Sequence, residues 1–122
     1  MAKVLVVDDE PDIVGLIAFV FRSNGHEVVI AGDGCEALRK ARALTPDIIV
    51  LDVMLPEMDG FTVCEVLRRD RATADIPIIM LTARSGELCR LIGLESGANV
   101  YLTKPVSPRD LQARVQWLLQ RH

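Results

Sequence analysis

Residues 4–11 read VLVVDDEP. An unbroken apolar run, Val4 to Val7, gives way without transition to three acids, Asp8, Asp9 and Glu10. A strand that is apolar throughout, rather than alternating, is one buried on both faces, as in a parallel sheet. Carboxylates at the end of such a strand belong at the rim of the sheet, because inside it they would be desolvated without a partner.

Working outward, the same kind of run recurs at 28–31 (VVIA), 48–51 (IIVL), 76–81 (IPIIML) and 100–102 (VYL). Between the runs the spacing turns helical. Ile13, Leu16, Ile17, Val20 and Phe21 fall at i, i+3, i+4 intervals, and Asn24-Gly25 stops them. Ala37, Leu38, Ala41 and Leu44 follow Asp33, which forms a capping-box pattern with Glu36. Phe61, Cys64 and Leu67 make a third apolar stripe, and Leu88, Leu91 and Ile92 a fourth. Leu111, Val115 and Leu118 make a fifth, opened by Ser107 as N-cap, Pro108 in the first turn and Asp110 as acidic partner.

The pattern is βα repeated five times. Right-handed crossovers place helices on both sides of the sheet. The expected fold is α/β: a (βα)5 doubly wound, five-stranded parallel sheet of order 2-1-3-4-5, flavodoxin-like. The expected organisation is one domain over residues 1–122. The composition is that of a globular domain, with 50% hydrophobic and 25% charged residues. A net charge of −3 gives no electrostatic reason for this segment to bind nucleic acid or an anionic membrane. No apolar run approaches a membrane span and no signal peptide is evident, so the expected compartment is the cytoplasm. Cys35, Cys64 and Cys89 form no paired motif and are expected to be free thiols acting as small buried apolar residues. His26 and His122 are expected at the surface.

In open α/β sheets the site lies at the carboxyl ends of the strands. Asp8 and Asp9 follow the first run, Asp52 the third, Thr82 the fourth and Lys104 the fifth. Each has an ordinary explanation alone: Asp9 or Glu10 as a helix cap, Asp52 as a turn residue, Thr82 as an N-cap, Lys104 as a loop lysine. Those explanations do not account for all of them lining one crevice. Two carboxylates about 5 Å apart repel by roughly 3 kcal/mol at an effective dielectric of ~20. Such a cluster requires a cation, and an all-oxygen donor set without histidine or nearby thiol selects Mg2+ or Mn2+ over zinc. The metal leaves a coordination position for a phosphoryl oxygen. Lys104 and Thr82 are placed to neutralise and hydrogen-bond that group, and Asp52 on the central strand to attack it.

The motif set VLVVDDEP, LDVMLPEMDGF, IIMLTA and YLTKP, in that order, resembles the receiver domain of bacterial two-component response regulators over essentially the whole chain. The resemblance implies Asp52 as phosphoacceptor, Asp9 as a direct Mg2+ ligand, Asp8 partly through water, and the Met54 main-chain carbonyl as a further ligand. It implies Lys104 and Thr82 as phosphoryl partners, Tyr101 as switch aromatic and a cis Lys104–Pro105 bond. Glu10 is assigned to the start of the first helix rather than to the site, and Glu57, Met58 and Asp59 to structural or partner-facing roles.

The implied partners are a sensor histidine kinase or phosphotransfer protein as donor, and an output domain or separate protein met through the fourth helix, fifth strand and fifth helix. A phosphorylation-dependent homodimer is implied through the same face. This chain has Asn99-Val100 where the family often carries acids that help build that contact, and Val106 where Phe commonly follows Lys-Pro. The resemblance implies self-phosphorylation and autodephosphorylation rather than a turnover enzyme, either as a stand-alone receiver or as the first part of a longer regulator. Two rivals fit less well. A haloacid-dehalogenase-type phosphatase carries its nucleophile on the first strand in a D-x-D arrangement, and a flavin binder needs a hydroxyl- and amide-rich loop where DDEP stands.

Overall fold

The computed structural model describes residues 1–121; His122, expected at the surface, lies outside the described residues. The strands are β1 (Lys3–Val7), β2 (Glu27–Ala31), β3 (Ile48–Leu51), β4 (Ile78–Thr82) and β5 (Val100–Thr103). The helices are α1 (Pro11–Ser23), α2 (Gly34–Leu44), α3 (Gly60–Arg69), α4 (Glu87–Ser96) and α5 (Pro108–Arg121). The sheet has the expected order β2-β1-β3-β4-β5, with every pairing parallel.

Strand alternation divides the core in two. Leu5, Val7, Ile49 and Leu51 pack with α2 and α3, while Val4, Val6, Ile48 and Val50 pack with α1 and α5. The register brings the strand ends level: Val7 pairs with Leu51, Leu51 with Met80, and Thr82 with Thr103. The residues after β1, β3 and β5 and the last residue of β4 therefore emerge at one rim, which is how residues 8, 52, 104 and 82 come to the same end of the sheet.

Local chemistry sets the helix ends. Asp33 accepts a hydrogen bond from Glu36 N–H at 2.8 Å, and the Glu36 carboxylate accepts from Gly32 N–H at 2.6 Å, one residue earlier than a standard capping box. Asp59 caps α3 through Thr62 N–H, and Ser107 caps α5 through Asp110 N–H. The Lys104–Pro105 bond is cis, as the resemblance implied.

Three expectations are corrected. The apolar stripe of α4 does not face the core: Leu88, Leu91 and Ile92 are 71%, 46% and 39% exposed. The less exposed side of α4 instead carries Gly93, buried, with Cys89 and Leu94 half-buried, and a bulky ring from β5 occupies the space at Gly93. His26 is buried rather than superficial. Its Nδ1 accepts Ala2 N–H at 3.1 Å, and its ring meets Phe21 edge-on. Of the thiols, only Cys64 is buried, and burial raises its pKa to about 11; Cys35 is exposed and Cys89 half-buried. Smaller departures follow helix geometry. Leu16 and Leu44 are exposed, and Val14 and Ala18 share the buried face of α1 with Ile17 and Phe21.

Candidate functional site

Asp8 and Asp52 are held at their backbones before their side chains do anything. Asp8 N–H donates to Ala31 O at 3.1 Å, and Asp52 N–H donates to Val7 O at 2.9 Å, so both acids continue the ladder by one residue. Beyond Asp52 the chain folds back sharply: Gly60 N–H donates to Val53 O at 2.8 Å. A Cβ on Gly60 would collide with the Asp52 carbonyl, so only glycine permits that approach. Glu57, within this turn, takes a left-handed φ of 68°.

The three acids meet one ammonium. Lys104 Nζ donates to Asp8 Oδ2 at 2.8 Å, to Asp52 Oδ2 at 3.0 Å and to Glu10 Oε1 at 3.0 Å. The other oxygens are met by main-chain donors: Glu10 N–H to Asp8 Oδ1 and Met54 N–H to Asp52 Oδ1, both at 3.0 Å. Asp8 and Asp52 are 4% and 3% exposed, so this is a buried charge cluster open only at the Glu10 side. Burial raises the Asp8 pKa, assisted by the nearby Asp52 charge, and the Lys104 contact offsets only part of this. Burial would lower the Lys104 pKa, but hydrogen bonds to Asp8, Asp52 and Glu10 outweigh it and hold the ammonium well above its ordinary value.

Ionised, three carboxylates against one ammonium leave a local charge of −2. Oxygens of Asp8, Glu10 and Asp52 lie within 4.8 Å of one another. An all-oxygen set with that surplus suits a hard divalent cation. Asp9, expected as the direct ligand, is exposed and lies outside this trio. Met54 meets Asp52 through its amide. Glu10 corrects the sequence reading: its backbone is the N-cap of α1, but its side chain caps nothing and joins Lys104 instead.

Thr82 is completely buried and Lys104 N–H donates to its carbonyl at 2.7 Å, so the two ends of β4 and β5 are tied together. Thr82 Oγ1 accepts Arg84 N–H at 3.3 Å, and the Tyr101 hydroxyl donates to Arg84 O at 2.8 Å. The Arg84 peptide thus connects the two residues expected to act as a switch. The Arg84 guanidinium lies 5.7 Å from the centre of the Phe61 ring. A cavity of about 600 Å3, lined by His26, Asp47, Arg71 and Gln116 among others, opens at the opposite, amino end of the sheet, away from this chemistry.

Known proteins share this fold. A family profile, the response regulator receiver domain, matches residues 4–116. The chain is 50% identical over 119 residues to the alkaline phosphatase synthesis transcriptional regulatory protein PhoP of Bacillus subtilis, covering 98% of this chain and 49% of that protein. It is 46% identical over 121 residues to the DNA-binding dual master transcriptional regulator RpaA of Synechocystis, covering 99% of this chain and 50% of that one. The chain therefore spans about half the length of the curated relatives it matches. A putative response regulator from Chloroflexus aurantiacus superimposes with a TM-score of 0.92 at 39% identity, covering 98% of both chains. The receiver domain of the Pseudomonas aeruginosa sensor histidine kinase PA1611 does so with a TM-score of 0.90 at 33% identity, also covering 98% of both, and has a magnesium ion coordinated in its active site cleft.

Proposed function

The chain belongs to the response-regulator receiver family, the phosphoacceptor unit of two-component signalling, and from that membership we propose that Asp52 is the side chain that takes the phosphoryl group. One observation carries the reading: Lys104 bridges Asp52 to Asp8 and Glu10, leaving a buried surplus of negative charge around a carboxylate on the central strand. Asp8, Asp9, Asp52 and the Met54 carbonyl would hold Mg2+, or Mn2+ in its place, with Glu10 at the edge of the set. When bound, the cation supplies neutralisation of the carboxylates and polarisation of the phosphoryl oxygens.

Asp52 attacks phosphorus in line as the P–N bond of a phosphohistidine donor breaks, and the imidazole departs with the electron pair. Met54 N–H stays on one Asp52 oxygen and fixes the carboxylate's orientation. Lys104 moves from the Asp52 oxygen to a phosphoryl oxygen, which keeps its charge paired. Thr82 donates its hydroxyl proton to another phosphoryl oxygen. Water later attacks phosphorus, releases inorganic phosphate and restores the carboxylate, so the domain returns to its start rather than turning over a substrate.

The donor is a sensor histidine kinase or phosphotransfer protein. The output, an attached domain or separate partner, is met through α4, β5 and α5, with Tyr101 as the moving aromatic. Residues 1–122 form a single receiver unit in the cytoplasm; no helix among the described residues is long and apolar enough to cross a membrane. The test is to incubate the chain with Mg2+ and a small acyl phosphate, and to map the adduct by mass spectrometry. The expected adduct is on Asp52. An adduct elsewhere, or one that persists in Asp52→Ala, overturns the assignment.

A further inference from the structure

Gly93 sits in the interior of α4, where glycine is a poor helix former. It is the one residue of α4 that is fully buried. A Cβ placed there would lie 2.5 Å from Tyr101 Cδ1, 2.9 Å from Cε1 and 3.0 Å from Met80 Sδ. Two of these are distances that side chains do not adopt, and the atoms in the way belong to a ring clamped at its far end by the hydroxyl bond to Arg84 O. The large apolar residues of α4 give little competing hold, since Leu88, Leu91 and Ile92 face solvent and only Leu94 is half-buried.

We propose that Gly93 is the seat of Tyr101: the missing side chain leaves a notch in α4 that receives the ring, and this contact ties the position of Tyr101 to the position of α4. Gly93 is therefore a positioning residue. The ring fills the place where a helix of this kind ordinarily buries leucine, so displacing the ring leaves that side of α4 unsupported. The hydroxyl bond then has a second purpose. By holding Tyr101 to the loop that also binds Thr82 Oγ1, it links the hydroxyl at the strand end to the seat on the helix. The consequence for signalling rests on the reading of Tyr101 as the moving aromatic; the seat itself does not.

Tyr101 is the only tyrosine, so fluorotyrosine incorporation gives a single fluorine NMR signal from the ring. In Gly93→Ala that signal should move toward the value of a solvated tyrosine, and α4 amides should exchange about tenfold faster or more. Tyr101→Ala should loosen α4 similarly. In Gly93→Ala/Tyr101→Ala the added methyl has room and favours the helix, so exchange should become slower than in Tyr101→Ala alone. The same substitution thus loosens α4 with the ring present and tightens it with the ring absent. Gly93→Ser, of similar bulk, should repeat the fluorine shift. Alanine favours helix, so the fold should persist, which circular dichroism checks. An unmoved fluorine signal in Gly93→Ala, or exchange changing in the same direction in both backgrounds, overturns the seat. Asp52 modification is measured in parallel. Its absence from the unsubstituted chain would sink the phosphoacceptor reading while leaving the seat standing. Normal modification with an unresponsive α4 would do the reverse.

Discussion

Helices α4 and α5 follow neighbouring strands, one ending at Thr82 and the other just before Lys104, yet they are held in opposite ways. Helix α5 buries Leu111, Val115 and Leu118 against the sheet and begins with a side-chain cap. Helix α4 buries Gly93, opens at Gly86 without a side-chain cap, and turns Leu88, Leu91 and Ile92 to solvent while Leu94 is half-buried. Fully burying an aliphatic side chain contributes about 1.5–3 kcal/mol, so α5 is anchored by three such contributions and α4 only by the partial burial of Leu94. On the proposed switch role of Thr82 and Tyr101, the helix asked to move is the one with the least to lose by moving.

The largest effect that separates the two helices is core truncation. Leu111→Ala should cost about 2–5 kcal/mol in urea unfolding, and Leu91→Ala should stay within about 0.5 kcal/mol. Comparable losses would break the comparison.

A second test concerns what does hold α4. The Arg68 guanidinium donates to Gly97 O, Ala74 O, Ile76 O and the Asn99 side-chain oxygen, at 2.7–3.0 Å, and so clamps the end of α4 to the start of β4. Arg68→Ala should cost about 1–3 kcal/mol and speed amide exchange at the end of α4 while sparing α5. Equal acceleration in both helices would show that the clamp is not local.

Next in size is the α5 cap. Ser107→Ala should cost about 1 kcal/mol, recoverable with Asp at the same position. No loss, or no recovery with Asp, would mean that the Ser107 hydroxyl bond contributes nothing to α5.

The smallest effect is the pH dependence of His26, whose Nε2 lies 3.4 Å from the Gln112 side-chain nitrogen on α5. Because Nδ1 accepts Ala2 N–H, the neutral ring carries its proton on Nε2. The buried, otherwise unpartnered Gln112 Oε1 matches that proton when the amide is turned toward it. Burial, and then the N-terminal charge, lower the His26 pKa below its ordinary 6.5. A depressed base adds stability above 6.5, and that stability is lost as pH falls through the lower folded value. The urea midpoint should decline on mild acidification, and His26→Gln should flatten the decline. An unchanged slope would remove His26 from the account of α5.

The same contrast explains what could be read in advance. Runs such as 48–51 and the stripe of α5 announce themselves because burial and periodicity coincide there, and the strand ends then name Asp8, Asp52, Thr82 and Lys104. Helix α4 misled because periodicity says only that a helix has two faces, not which one meets the core; the Tyr101 ring decided that from another strand. Sequence places Glu10 only at the helix start because its backbone does sit at a cap position, while its side chain answers to a lysine ninety-four residues away. Arg68 left no trace, since an arginine near a helix end reads as a solvated charge whether or not four carbonyl oxygens converge on it.

Lys104 and Asp8 stand ninety-six residues apart, and their contact bears on how the chain is made. Synthesis releases the N-terminal end first. Asp8 and Asp52 emerge early, and β4 waits as an open edge until β5 arrives to cover it and deliver the ammonium. A chain interrupted before that point has Asp8 and Asp52 but not the ammonium that both of them meet. With Asp52 in its proposed role, the acceptor therefore meets its charge partner only when the last strand of the sheet has docked.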